Sequence, residues 1–134
     1  MALDASVVAP ALIDDEDEGN RARARLAGER PAGERPAAPA VIDLEVASAW
    51  RRVARSGRLA EGRADQARAH LAAMPLARAS HGPLMNRIWD LRDNLTPYDA
   101  AYVALAELLD TLLLTADAAL ARAPGIACEV EVLS

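Results

Sequence analysis

Residues 95–120, "LTPYDAAYVALAELLDTLLLTADAAL", place a helix, a buried strand and the start of a second helix in direct succession. Thr96 followed by Pro97 is typical of a helix start, because the hydroxyl caps free amide groups and proline suits the first helical position. We predict that this helix extends to about Asp110. The apolar run "TLLLT" predicts a strand covered on both faces, and "ADAALARA" predicts a short helix after it.

The rest of the chain alternates in the same way. Residues 1–3 predict a short strand, residues 75–79 a second one, and residues 126–133 a last strand with a period of two. Helical patterns lie between them, the first of which Pro10 is expected to interrupt or bend. Strands that alternate with helices predict an α/β fold with a mostly parallel sheet, covered on both faces.

Composition limits the possible functions. The chain has 134 residues, a net charge of −5, no Phe and no Lys, so we expect one domain with an aliphatic core and no chemistry that needs an ammonium group. One cysteine cannot form an internal disulfide, which favours a cytoplasmic protein. No run approaches the ~20 apolar residues that span a membrane.

The pentapeptide AGERP occurs twice in tandem, at residues 27–31 and 32–36. Two copies are too few for a repeat protein, and their Gly and Pro content is typical of a loop. We therefore expect residues 27–36 to be an exposed loop insertion, of which one copy is dispensable.

Four acids are candidates for one site. Asp4 and Asp117 follow predicted strands, and Asp99 begins the helix that leads to the second of these strands. Ligands of such sheets bind beyond the carboxyl ends of the strands. Glu45 lies at the edge of the apolar stripe of the helix that starts near Val41. Four converging carboxylates repel one another unless a divalent cation such as Mg²⁺ or Mn²⁺ neutralises them.

Each acid also has an ordinary explanation when it is taken alone. Asp99 has the spacing of a capping box behind Thr96, Asp117 suits the first turn of a helix, and Asp4 suits a helix N-cap. The metal hypothesis therefore depends on the four acids meeting in space.

The segments that carry the acids, "LDAS", "APAVIDLEVASAWRR", "LTPYDAAYVALAE" and "LLTADAAL", resemble the four acidic motifs of PIN-domain ribonucleases, and most of all the VapC-type toxins of bacterial toxin–antitoxin modules. The resemblance spans nearly the whole chain and implies a three-layer α/β/α sandwich over residues 1–134. It implies that Asp4, Glu45, Asp99 and Asp117 hold Mg²⁺ or Mn²⁺ for RNA cleavage, with Asp4 and Asp99 as the usual ligands.

The resemblance also implies partners. These are an RNA substrate, a VapB-type antitoxin, a second copy of the chain in a homodimer, and operator DNA that is bound only through the antitoxin. From the residues, Thr115 is a candidate for orienting a nearby carboxylate. The candidates for RNA phosphate contacts are Arg51, Arg55 and Arg58, which share one face in a helical projection, and Arg92. A solvated face or an antitoxin contact also explains the first three.

Other protein classes fit less well. A receiver domain or a haloacid-dehalogenase-type phosphatase needs a lysine, which this chain lacks. A ribonuclease that uses paired histidines has only His70 and His81, and neither lies in a recognisable motif. The alternative that stays open is a catalytically inactive PIN-fold partner or scaffold for an antitoxin, although the presence of all four acids argues against it.

Overall fold

The protein is built on one parallel sheet. The computed structural model describes residues 1–28, 30 and 33–134. Within them the sheet has five strands: β1 (Ala2–Leu3), β2 (Ala37–Pro39), β3 (Ala77–Ala79), β4 (Leu113–Thr115) and β5 (Val130–Val132). All neighbouring strands pair in parallel, in the order β3-β2-β1-β4-β5. The predicted parallel sheet is confirmed.

Strand β1 lies at the centre of the sheet, between β2 and β4. Its Ala2 is in register with both Ala37 and Leu113. The residues of β1 are fully buried, so the strand is covered on both faces. Because parallel strands end at the same edge, the residues that follow β1 and β4 lie side by side there.

Helices cover the two faces of the sheet. In the described residues they are α1 (Ala5–Ile13), α2 (Asp17–Ala27), α3 (Ile42–Arg55), α4 (Glu61–Ala73), α5 (Met85–Asp90), α6 (Pro97–Leu108) and α7 (Ala118–Ala121), with a 3₁₀ turn at Gly82–Leu84. Helix α1 packs against α2, α3, α4 and β4, whereas α6 packs against α5, β1, β2 and β4. The result is the predicted three-layer α/β/α sandwich.

The middle of helix α6 lies inside the protein. Every residue from 100 to 106 is buried, and alanine occupies four of these positions. A helix that is apolar all round lies inside a protein, and small side chains let it approach its neighbours closely. None of the helices in the described part of the chain is long and apolar enough to cross a bilayer.

Two elements differ from the sequence prediction. Residues 37–39 form strand β2, although the sequence shows no strand pattern there. Three residues are too few to show a period, and the strand owes its existence to pairing with β1 and β3. Pro10 does not interrupt the first helix, since α1 continues to Ile13. A proline removes only one N–H donor from the helical ladder.

The repeated segment of residues 27–36 is only partly the free loop that its composition predicts. Residues 29, 31 and 32 lie outside the described residues. Glu34 forms an ion pair with the N-terminal ammonium group of Met1, whose side chain is buried. Pro36 is buried as well. The expectation of a wholly exposed segment is therefore wrong at Glu34 and Pro36, because the N-terminus of the central strand needs a counter-charge.

The turn between α1 and α2 depends on Asp14 and Gly19. The Asp14 carboxylate accepts hydrogen bonds from the amides of Glu16 (2.9 Å) and Gly19 (2.8 Å). These bonds lower the pKa of Asp14. A Cβ atom added at Gly19 would lie 1.9 Å from the carbonyl oxygen of Asp14. A side chain at position 19 therefore displaces the backbone of the turn.

We expect Gly19→Ala to lower the free energy of unfolding by about 1–3 kcal/mol, the usual cost of overpacking. Gly62→Ala is the matched control, because Gly62 is also near the start of a helix and a Cβ atom there meets nothing within 4 Å. The control variant should gain about 0.5–1 kcal/mol from the better helix propensity of alanine. Urea denaturation measures both changes, and equal stabilities of the two variants would contradict the packing argument.

Candidate active site

Asp4 is the first residue after β1 and lies at the carboxyl edge of the sheet. Its amide donates to the carbonyl oxygen of Leu114 (3.0 Å), which holds its backbone against β4. Its side chain is 7% exposed. The Oδ2 atom accepts hydrogen bonds from the hydroxyl groups of Ser6 (2.7 Å) and Thr115 (2.6 Å). Among the described residues no hydrogen bond reaches Oδ1, so that oxygen is available to a ligand.

The two hydroxyl groups have their single protons directed at Asp4. Thr115 Oγ1 accepts the amide proton of Asp117 (3.0 Å), and Ser6 Oγ accepts that of Ala116 (2.9 Å). Each hydroxyl group therefore receives a proton from the backbone and keeps its own for the carboxylate. Thr115 is fully buried and belongs to β4. The structure thus places Thr115 where it orients the Asp4 carboxylate.

Glu45 approaches the same edge from the first turns of α3 and is half-buried. Its Oε1 atom accepts a hydrogen bond of 2.6 Å from the hydroxyl group of Tyr102, which lies on α6. At the start of α3, the amide of Val41 donates to Nε2 of His81 (3.0 Å). Contacts from two other segments therefore fix the position of this carboxylate.

The two aspartates of residues 95–120 both begin helices. Thr96 Oγ1 accepts a hydrogen bond from the amide of Asp99 (3.2 Å), which is the predicted cap. Asp117 Oδ1 accepts one from the amide of Ala119 (2.9 Å) and caps α7. The capping roles and a role in one site are therefore compatible.

The four carboxylates, of Asp4, Glu45, Asp99 and Asp117, line one open groove of about 1250 Å³. None of them forms an ion pair within the described part of the chain. The acidic residues 14–18 also contribute to the groove wall. The groove therefore concentrates negative charge.

Burial and the neighbouring charges raise the pKa of two acids in the groove. Burial raises the pKa of Asp99, and the charges of Asp4 and Asp117 raise it further, against the opposing effect of the Thr96 side chain. Burial also raises the pKa of Glu45; the hydrogen bond from Tyr102 lowers it, and the charges of Asp4 and Asp99 raise it. A bound cation would relieve this repulsion.

The donor set suits a hard cation. Carboxylate oxygens that lack other partners are the ligands that Mg²⁺ and Mn²⁺ prefer. In the described residues, however, no three His, Cys, Asp or Glu side chains already stand close enough to one another to enclose an ion. The fit to a divalent cation therefore rests on the chemistry of the carboxylate donors and on the groove that they share.

Comparisons with known proteins identify the family of the chain. A family model described as PIN domain matches residues 1–126. Ribonuclease VapC1 of Mycobacterium tuberculosis is 47% identical over 100 residues, which cover 72% of this chain and 73% of that protein. Ribonuclease VapC9 of the same organism is 38% identical over 135 residues, which cover 99% of this chain and 98% of that protein. The chain belongs to the PIN-domain family, among the VapC-type ribonucleases. The resemblance that the four acidic motifs indicate is confirmed.

The arginines of this PIN domain are arranged differently from the sequence prediction. Of the four arginines named as RNA contacts, Arg58 lines the groove of the acids. Arg51 lines a separate groove between α3 and α4, and Arg55 lines neither. The guanidinium group of Arg92 lies over the ring of Trp89, 4.8 Å from its centroid.

Arg52 lines the groove together with Arg58, although the sequence did not single it out. The helical projection used for the prediction fails here because α3 ends at Arg55. Gly57 then reverses the chain with a φ of 79°, so Arg58 does not continue the helical face. Arg52 gave no signal of its own, since it stands beside Arg51 in a run of similar residues.

Ser6 and Tyr102 were also missed. Ser6 stands two residues after Asp4, a spacing at which a hydroxyl group commonly contacts an aspartate. Tyr102 interrupts the apolar run "DAAYVALAE", and a buried tyrosine hydroxyl needs a partner. The tyrosine in this apolar run predicts a polar contact inside the protein, but it does not identify Glu45 as the partner.

The repulsion in the PIN-domain groove predicts how stability depends on pH in the absence of divalent cations. Because folding raises the pKa of Asp99 and Glu45, the folded state binds their protons more tightly than the unfolded state does. Their contribution to stability is fully present below the ordinary carboxyl pKa of about 4, and is lost as the pH rises through the raised values. We expect Asp99→Asn to remove part of this loss.

In EDTA at pH 7 the Asp99→Asn protein should therefore melt a few degrees above the wild type, and the difference should shrink towards pH 4. Asp93→Asn is the control, since Asp93 is exposed and does not line the groove. Thermal scans across this pH range give the comparison. A lower melting temperature for Asp99→Asn at pH 7 would contradict the raised pKa of Asp99 in the folded state.

Proposed function

We propose that this chain is an endoribonuclease that depends on Mg²⁺ or Mn²⁺ and acts as the toxin of a toxin–antitoxin pair. The observation that carries the proposal is the groove lined by four carboxylates, none of which is neutralised by an ion pair in the described residues. RNA as the substrate is supported by the relatives named Ribonuclease VapC.

Asp4 and Asp99 are the proposed ligands of the ion, and Glu45 and Asp117 complete its surroundings directly or through water. When bound, such an ion supplies Lewis-acid chemistry: it acidifies a water molecule and offsets negative charge on the phosphate. Ser6 and Thr115 hold the Asp4 carboxylate in one orientation through Oδ2. The free Oδ1 is the atom that this arrangement presents to the groove.

Arg52 and Arg58 are the proposed contacts to RNA phosphates. Both side chains are exposed, line the groove and form no ion pair within the described residues. A protein with a net charge of −5 repels RNA overall, so local arginines must supply the attraction.

The proposal predicts that Asp99→Asn abolishes cleavage while the fold survives. The substitution keeps the shape of the side chain and removes its charge, so cleavage of a labelled RNA pool should fall by at least about a hundredfold, the scale for removing one electrostatic group from an active site. Asp4→Asn should act alike. Asp93→Asn should cleave as the wild type does.

The same measurements distinguish an active ribonuclease from an inactive binding partner. Cleavage by the wild type that survives excess EDTA, or cleavage by Asp99→Asn at the wild-type rate, would refute the metal mechanism. A wild-type protein that binds an antitoxin but cleaves no RNA with either ion would support the inactive binding partner instead.

The arginines are tested by binding in the Asp99→Asn background, where RNA stays intact. We expect Arg52→Ala combined with Arg58→Ala to weaken RNA binding and to reduce the slope of log K against log salt by about 1.4, the value for two lost phosphate contacts on a single strand. Arg51→Ala combined with Arg55→Ala removes the same charge away from the groove and should leave the slope nearly unchanged. A larger reduction of the slope in the Arg51→Ala, Arg55→Ala protein would instead assign the phosphate contacts to Arg51 and Arg55.

Protein partners are part of the same proposal: a VapB-type antitoxin, a second copy of the chain, and operator DNA bound through the antitoxin. Exposed large apolar side chains are the candidates for such a contact, because the centre of a protein interface buries apolar surface. They include Leu44 at the start of α3, Trp89 on α5 and Leu108 at the end of α6, which are 74%, 63% and 64% exposed.

A further inference from the structure

Two large side chains in the interior carry hydroxyl groups. Among the largest fully buried side chains of the described residues, all are aliphatic except Tyr102 and Thr115. Thr115 donates to Asp4 (2.6 Å) and Tyr102 donates to Glu45 (2.6 Å). Both of these buried hydroxyl groups therefore donate hydrogen bonds to carboxylates of the groove.

The Tyr102 hydroxyl is a permanent donor. It donates to Oε1 of Glu45 over 2.6 Å, and a tyrosine hydroxyl, whose ordinary pKa is about 10, carries its proton at neutral pH. A deprotonated tyrosine beside a carboxylate would also place two negative charges in contact. The direction of the hydrogen bond is thus fixed, from Tyr102 to Glu45.

Glu45 depends on this one donor. Within the described residues its carboxylate forms no ion pair and accepts no second hydrogen bond. Asp4 and Asp99 repel it, so without the tyrosine the side chain would turn towards solvent. The bond holds Oε1, and no hydrogen bond within the described residues reaches Oε2, although Glu45 lines the groove.

Tyr102 also lies three residues after Asp99 on α6, and residues at this spacing share one face of a helix. Asp99 and the group that holds Glu45 are therefore parts of one rigid, buried helix.

We propose that Tyr102 is a positioning residue, which fixes one oxygen of Glu45 so that the other faces the cation proposed above. The inference rests on the proposed function, because it assigns a purpose to Glu45 within that site. Groups that orient the ligands of a metal commonly change metal affinity by about 10- to 100-fold when they are removed.

The test compares Tyr102→Phe with Tyr98→Phe by titrating Mn²⁺ into the protein in a calorimeter. Both changes remove only a hydroxyl group, but Tyr98 is exposed and makes no hydrogen bond in the described structure. Tyr102→Phe should weaken Mn²⁺ binding by about 10- to 100-fold. Its kcat should fall at limiting Mn²⁺ and recover at high Mn²⁺, with KM for RNA unchanged. Tyr98→Phe should bind Mn²⁺ as the wild type does.

A purely structural role of Tyr102 predicts a different pattern: a lower melting temperature with unchanged Mn²⁺ affinity. That result overturns the inference about Tyr102. The proposed function still stands if the wild-type protein binds Mn²⁺ and cleaves RNA. A wild-type protein that binds no Mn²⁺ overturns both.

Glu45→Ala provides a second route that does not depend on the folding of Tyr102→Phe. If the tyrosine acts through Glu45, Glu45→Ala should lose at least as much Mn²⁺ affinity as Tyr102→Phe, and combining the two changes should cause no further loss. Wild-type affinity in Glu45→Ala, or fully additive losses in the double variant, would contradict the inference.

Discussion

A buried carboxylate at the end of the central strand is the constraint on which the rest of the site depends. Asp4 is nearly inaccessible, has no ion-pair partner in the described residues, and lies where a bare charge is costly. Two hydroxyl groups from α1 and β4 stabilise it, and each of them is in turn fixed by a backbone amide of residues 116–117. The same contacts therefore satisfy the charge, join β4 to α1, and set the direction in which Asp4 faces the groove.

Helix α6 fixes the positions of two other acids that line the groove, Asp99 and Glu45. Its residues 100–106 are buried, so its position follows from packing against the sheet and α5. Asp99 lies at its first turn and Tyr102 one turn further on. Through Tyr102 the helix also determines where Glu45 stands, although Glu45 belongs to α3. The acids are thus held against their mutual repulsion by the hydrophobic core.

Much of this was accessible from the sequence, and the failures have physical causes. The order of strands and helices followed from apolar runs and from Thr96-Pro97, whose cap the structure contains. Strand β2 was missed because three residues have no periodicity, and Glu34 was assigned to a free loop because its partner is the distant N-terminus. The sequence does not single out Arg52 because it stands beside Arg51 in a run of similar residues, and it misplaces Arg58 because the end of α3 is a tertiary property. Tyr102 shows the general limit: a sequence reveals that a buried hydroxyl needs a partner, but only the fold supplies Glu45.

The central claim is that these carboxylates remain unpaired because a divalent cation belongs among them. Anomalous diffraction from crystals soaked in Mn²⁺, recorded near the manganese absorption edge, tests it most directly. The account predicts a strong peak in the groove, within coordinating distance of both Asp4 and Asp99, and its loss in Asp99→Asn crystals. A protein that cleaves RNA in Mn²⁺ but shows no peak between these two residues would contradict the account.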